Sequence, residues 1–378
     1  MVMDNVAARD PKAFRTPRVA DGARFPSGYN RGGALGPPPL ARTTEQSPDI
    51  SIARTRQVTV TKIICGIDVS SRSLQAGLGF EGPSRSFANT VAGIAELAAF
   101  CRQHAVELVA MEATGGYEKQ PFTQLWAHGL PVAIVNPRAV RRFAEGMGVL
   151  EKTDSIDAGV IAWFAQVKRC HPCTPASAQQ EHLKALVTRL RQLTELQTMQ
   201  RNQRLLVTDA AVLATFTQML ALIRSQIRSL ETAIAELIAA DPLWQQLDQA
   251  FRSLKGVADR TVARLMADLP EIGTLSNKAV SKLAGLAPLA RDSGNYQGKR
   301  PVRGGRCNVR SILFVVGELV SRYHPDFAAF RQRLRAAGKP KKVIRIALAH
   351  KLLVRINAKA REVRNQFPEV APCVLALS

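Results

Sequence analysis

Four carboxylates stand out by type and position in this chain of 378 residues. Asp68 closes the run IICGID, Glu112 closes VELVAME, and Asp154 and Asp157 stand three residues apart in KTDSIDAGVIAWFA. Acids are depleted in strands, so carboxylates at the ends of two β-rich runs sit where a mixed sheet usually presents its ligands. Positions i and i+3 share one side of a helix, which would aim Asp154 and Asp157 together. Hard oxygen donors converging in this way suit Mg²⁺ or Mn²⁺. Two such ions about 4 Å apart can clamp the attacking and leaving oxygens of a phosphodiester. Any one of the four taken alone is most simply structural; Asp154, for instance, suits a first helical turn through the helix dipole. The set, in a strongly basic chain, points to phosphoryl transfer.

Other candidates carry weaker signals. Ser293 lies in ARDSGNYQGKR, and a Ser-Gly pair in a loop is ordinarily a turn. A serine there could attack a phosphodiester, yet no histidine lies nearby in sequence to take its proton. Cys170-His171-Pro172-Cys173 has no second pair, and His182 is the only later ligand at a loosely suitable distance, so zinc is a weak reading. Tyr117, after Gly115-Gly116, could meet nucleic acid near Glu112, although an aromatic residue opening a helix more often packs. His104, His128, His324 and His350 show no ligand spacing.

The elements that must position these residues follow from hydrophobic period. Val58, Val60, Ile63, Ile64 and Ile67 form a first strand ending at Asp68, and SLQAGLGF and SRSFANT supply two more. Ile94, Leu97, Ala98 and Cys101 recur at helical spacing, and VELVAMEA reads as a buried strand. A helix over 117–129, the strand LPVAIVN, and helices starting near Pro137 and Thr153 complete the order βββαβαβαα, a mixed sheet with helices on its faces. From Phe216, the residues Leu220, Ile223, Ile227, Leu230, Ile234 and Leu237 repeat as a coiled-coil seam, and Leu183, Leu186, Leu190 and Leu193 share the rhythm. That pattern allows an antiparallel hairpin, an intermolecular bundle, or a long helix packed on its own domain. SLKGVADRTVARLMADLP then reads as a helix-hairpin-helix-like module. The stretch RQRLRAAGKPKKVIRIALAHKLLVRINAKAR reads as basic helix.

Charge is uneven. The formal total is +22, of which +17 falls in residues 251–378. GKRPVRGGRCNVR alone holds Lys299, Arg300, Arg303, Arg306 and Arg310, and Lys341 and Lys342 follow in GKPKK. Such a region attracts a phosphate backbone and releases its counterions. No stretch approaches the ~18 apolar residues of a membrane span, and no apolar leader precedes a cleavage site. Six scattered cysteines form no disulfide framework, as expected in a reducing cytoplasm. The expected divisions are a disordered extension (1–56), an α/β domain (57–170), a helical coiled-coil segment (171–250), a mostly helical basic domain (251–366) and a tail (367–378). Met1 and Met3 precede no domain edge, which a start codon placed too early would also produce.

Read in order, GIDVSSRSL, VAMEATGGYE, VNPRAVRRFA and KTDSIDAGVIAWFA resemble the RuvC-like DEDD domain of the transposases of the "one-ten" group of bacterial insertion sequences. SLKGVADRTVARLMADLPEIGTLSNKAVSKLAGLAPLARDSG, GKRPVRGGRCNVRSILF and GKPKKVIRIALAHKLL resemble that group's C-terminal transposase domain. The resemblance covers about residues 60 to 365. It implies an RNase-H-like α/β fold for the first domain, with Asp68, Glu112, Asp154 and Asp157 as ligands of Mg²⁺ or Mn²⁺ and Ser293 as the catalytic serine. It further implies DNA ends and target as substrates, a noncoding bridge RNA as partner, assembly into dimers or tetramers through the helical segment, and a place on the bacterial nucleoid. Two rival readings are a junction-resolving nuclease that uses the acids alone and an inactive nucleic-acid-binding relic.

Overall fold

β1 (Ile64–Val69), β2 (Ser73–Leu78) and β3 (Ser84–Ala88) form an antiparallel meander. α1 (Val91–Gln103) returns the chain to β4 (Leu108–Glu112), which pairs parallel to β1. α2 (Lys119–Ala127) leads to β5 (Val132–Val135), parallel to β4. The resulting order β3-β2-β1-β4-β5 is the expected mixed sheet, with β1 at its centre. α3 (Pro137–Gly146) and α4 (Asp154–Lys168) follow. This computed structural model describes residues 62–149, 151, 153–290 and 292–367. The expected extension 1–56, Val58 and Val60 of the first run, and residues 368–378 of the tail lie outside the described residues.

Alternation along the strands divides the core in two. Cys65, Ile67, Val69, Val109 and Met111 pack with Ile94, Leu97 and Cys101 of α1. Ile64, Leu108, Ala110, Ala133 and Val135 pack with Val140 of α3 and Val160, Ile161 and Phe164 of α4. Ile63 is exposed and precedes the strand.

α5 (Ala178–Arg204) and α6 (Ala210–Ala239) fold back on each other across a short turn. The seam packs inside the chain: Leu220, Ile223, Ile227 and Ile234 are buried, as are Leu183, Leu190 and Leu193 of α5. α6 is long and apolar enough by composition to cross a membrane, but it carries Arg224, Arg228, Glu231 and Glu236 and lies against α5. α7 (Pro242–Arg252) and α8 (Asp259–Asp268) are joined by a turn in which Gly256 takes φ +106°. α9 (Asn277–Leu283), the two-residue strands β6 (Asp292–Ser293) and β7 (Tyr296–Gln297), α10 (Cys307–Tyr323), α11 (Pro325–Ala336) and α12 (Lys341–Arg364) complete the chain. One continuous core runs from Leu183 to Val363. The basic stretch expected to be one helix is two, because Gly338 at φ +67° ends α11 and Pro340 caps the start of α12.

Candidate active site and nucleic-acid interface

β1 and β4 run parallel as neighbours, with Ile67 paired to Met111. Asp68 and Glu112 are the next residues on each strand, and strand alternation puts both on the face that α4 covers. α4 reaches that face through small residues. A Cβ on Gly66 would sit 2.0 Å from the Ala158 carbonyl oxygen and 2.5 Å from the Ala162 nitrogen. On β2, a Cβ on Gly77 would lie 3.2 Å from the Gly159 nitrogen. Helix backbone therefore rests almost directly on strand backbone, and Thr153 fixes where the helix begins by accepting the Ile156 N–H at Oγ1, 3.3 Å.

Asp68, Glu112 and Asp157 consequently line one cavity of about 240 Å³, walled by Val140, Ala144, Val149 and Val160. Arg141 and Glu151 line it too. Neither was legible as a site residue, although Glu151 stands three residues before Asp154 in a visibly acidic string. Asp154 is exposed and outside the cavity lining, as is Ser293. The i, i+3 relation gives two residues a common side but not a common depth; Asp154 starts α4 about 4.5 Å further along the axis. Among the described residues no three Asp, Glu, His or Cys side chains are drawn close enough to make a finished metal shell. What fits a divalent cation is the donor set, three hard-oxygen carboxylates delivered by three elements to one cleft.

The loops that follow the two strands are braced internally. After Asp68, Ser70 Oγ accepts the Ser73 N–H at 2.9 Å and the Arg72 N–H at 3.3 Å. After Glu112, the Glu118 carboxylate accepts the Gly116 N–H at 2.7 Å and the Thr114 N–H at 3.1 Å, folding a turn in which Gly115 and Gly116 take φ +80° and +131°. Tyr117 does not open a helix or pack; it lies in this turn, 56% exposed.

Cys173 is buried with its N–H donated to Val132 O at 2.7 Å, Cys170 is half-buried, and burial pushes the Cys170 thiol up.

Ser293 stands on an exposed hairpin turning at Gly294, φ +53°. Its base is closed by a bridge between Pro288 and Val302 and by the Leu289 N–H donating to Pro301 O at 3.0 Å. Asp292 pairs with Arg300 along the hairpin at 2.9 Å. Of the seven basic residues expected to meet phosphate, Lys299, Arg300, Arg303, Lys341 and Lys342 are exposed. Arg306 and Arg310 instead brace the fold. Arg306 makes a two-pronged contact with the buried Glu271, 2.6 Å on each arm, and donates to Asp268 O at 2.9 Å. Arg310 donates to Gly304 O at 2.7 Å. Arg361 and Arg364 likewise hold carbonyls of the 270–275 loop. Part of the +17 is thus internal scaffolding that counting could not separate from surface charge.

Comparison with known proteins adds the following. A family model of DEDD transposases of the IS110 type, described as transposase, matches residues 65–210, and the model described as transposase of the IS116/IS110/IS902 family matches residues 248–332. The pilin gene-inverting proteins of Moraxella lacunata and Moraxella bovis are each 27% identical over 316 residues, 81% of this chain and 98% of theirs. An IS110 insertion-element protein of 43.6 kDa from Streptomyces coelicolor is 27% identical over 153 residues, 40% of this chain and 37% of its own length. Among solved structures, Thermus thermophilus RuvC is 17% identical and covers 29% of this chain and 99% of its own, at a TM-score of 0.23.

Proposed function

We start from one premise, that the chain belongs to the IS110 family of transposases and is an enzyme that cleaves and rejoins DNA, and from it we propose a mechanism. Asp68, Glu112 and Asp157, with Asp154 at the rim, hold a divalent cation, Mg²⁺ or Mn²⁺. The observation that carries this reading is the delivery of three carboxylates from β1, β4 and α4 to one cavity. The cation, when bound, supplies positive charge against the charge developing on the phosphate. Arg141 at the same wall offers the phosphate a second positive group.

Ser293 is the nucleophile. Its Oγ bonds to phosphorus as the bond to a deoxyribose oxygen breaks, and the serine proton ends on that leaving oxygen. The ester keeps the phosphate activated, so the strand is rejoined by the reverse attack of a new sugar hydroxyl, and the serine recovers its proton. Because Ser293 lies on an exposed hairpin away from the cavity lining, a second copy of the chain is a natural source of the carboxylates it meets. Leu205 and Leu206 at the turn of the α5–α6 hairpin, 82% and 87% exposed, offer an apolar surface for that association. The pilin gene-inverting relatives fit such an arrangement, since inverting a segment cuts and rejoins DNA at two places.

The phosphate-facing surface in this reading consists of Lys299, Arg300, Arg303, Lys341 and Lys342. Lys341 and Lys342 open α12, where cations oppose the helix dipole and an anion is favoured. The same surface suits a noncoding guide RNA, and the enzyme then works on the nucleoid in the cytoplasm. A second reading, a junction-type nuclease using the acids alone, is favoured by the absence of Ser293 from the cavity lining. Reaction with DNA carrying the element's ends, denatured during turnover and mapped by peptide mass spectrometry, decides between them. A DNA adduct on Ser293 that disappears with excess chelator is expected; cleavage with no adduct would favour the nuclease.

A further inference from the structure

The residue that follows β3 and precedes the Thr90 cap of α1 makes side-chain contacts that neither element needs. Asn89 donates its backbone N–H to Arg72 O at 2.9 Å, and its Nδ2 to Ser70 O at 2.9 Å and, at longer range, to Tyr117 O at 3.5 Å. Ser70 lies two residues beyond Asp68, and Tyr117 five beyond Glu112. Each loop is stiff in itself, one around Ser70 and the other around Glu118. Among the described residues, the Asn89 carboxamide is the side chain that hydrogen-bonds to both.

The orientation of that amide is fixed, because exchanging its oxygen and nitrogen would set Oδ1 against the Ser70 carbonyl. In this orientation Oδ1 has no hydrogen-bond partner among the described protein atoms, while Nδ2 serves both carbonyls. What the arrangement yields is a tie between the two loops. Capping α1 is not its purpose, since Thr90 Oγ1 does that by accepting the Gly93 N–H.

We propose that Asn89 is a positioning residue, whose carboxamide ties the loop after Asp68 to the loop after Glu112 and so sets the separation of those two carboxylates. This rests on the reading of the cavity as a divalent-cation site. Residues that hold metal ligands in place commonly change metal affinity by an order of magnitude or more without touching the ion.

The test uses the full chain and reads cation binding directly, by titrating Mn²⁺ and following the free ion by electron paramagnetic resonance. Asn89→Ala should weaken Mn²⁺ binding roughly tenfold, at the low end for such supporting residues, with DNA affinity unchanged. Asn89→Asp, nearly the same size but unable to donate, should also weaken it. If Asn89→Ala does not fold, Asn89→Asp carries the test alone. A folded Asn89→Ala protein with a lower Tm but wild-type Mn²⁺ affinity would show a merely structural residue and overturn the inference. Wild-type Mn²⁺ binding that is indifferent to Asp68→Asn would overturn the cation site itself, and the role of Asn89 with it.

Discussion

The carboxylate cavity and the Ser293 hairpin are built in opposite ways. The cavity hangs from the centre of a five-stranded sheet, on strands whose inner residues Ile67, Ala110 and Met111 are fully buried, under a helix held at backbone contact. Ser293 stands on strands of two residues, exposed throughout, paired only with each other and tied at the base and by the Asp292–Arg300 pair. Carboxylates that share a cation must converge to within fractions of an ångström, and only packed elements hold side chains so closely. A nucleophile that must enter a duplex, or another copy's cavity, needs reach more than rigidity. Tolerance to mutation should divide along the same line.

Asp68→Asn should have the largest effect, lowering single-turnover DNA cleavage by roughly a thousandfold while leaving DNA affinity and Tm near wild type. Cleavage by wild-type protein in excess chelator would remove the cation from the cavity's account. Ser293→Ala comes next: strand rejoining should vanish, while stability stays within about 0.5 kcal/mol by chemical denaturation, as for an exposed site. A mutant that still recombines DNA would leave the hairpin without a chemical role and dissolve the contrast. Gly66→Ala tests the rigid side. The added Cβ, 2.0 Å from the Ala158 carbonyl oxygen, should cost about 1–3 kcal/mol of overpacking and lower cleavage as well, since α4 must lift and carry Asp157 with it. Unchanged denaturation and cleavage would mean the close approach of α4 is not what places Asp157.

The smallest effect lies on α12, outside the cavity lining and the hairpin. Burial lowers the pKa of His350 on α12, so the unfolded chain binds this proton more readily than the folded one. Its contribution is therefore full above the unfolded value, about 6.5, and is lost as pH falls through the lower folded value. Thermal melts from pH 7 to pH 5 should show Tm falling less in His350→Gln than in wild type. Equal slopes would assign the acid sensitivity elsewhere.

Much of this architecture was legible in the sequence. The order βββαβαβαα and the place of Asp68 and Glu112 at strand ends follow from apolar runs, a local signal, whereas their common face needs the β1–β4 register, which is not local. The apolar side of α4, with Val160, Ile161 and Phe164, was visible too, but the closeness of its backbone to the sheet was not, because Gly66, Gly77, Ala158, Gly159 and Ala162 are small and give no apolar signal. The Arg306–Glu271 pair joins residues 35 apart in sequence, and nothing local distinguishes that arginine from exposed Arg303. The break between α11 and α12 was written in Gly338 and Pro340, but a reading guided by charge runs straight through it. The seam of α6 was visible, while its partner was not: a heptad says that a helix has an apolar edge and leaves open whose helix covers it.

The closed base of the Ser293 hairpin turns it into a ruler. Ser293 lies four residues beyond Leu289, and a chain spans at most about 3.6 Å per residue, so its working radius from the base is no more than roughly 14 Å. A serine on an untethered loop could meet any phosphate within a wide sweep. One carried on an arm of fixed length reaches only a phosphate at a set offset from the surface that grips the DNA. In the proposed mechanism, with Ser293 as nucleophile, the position of the cut would be measured in length, and inserting or deleting a pair of hairpin residues would move it.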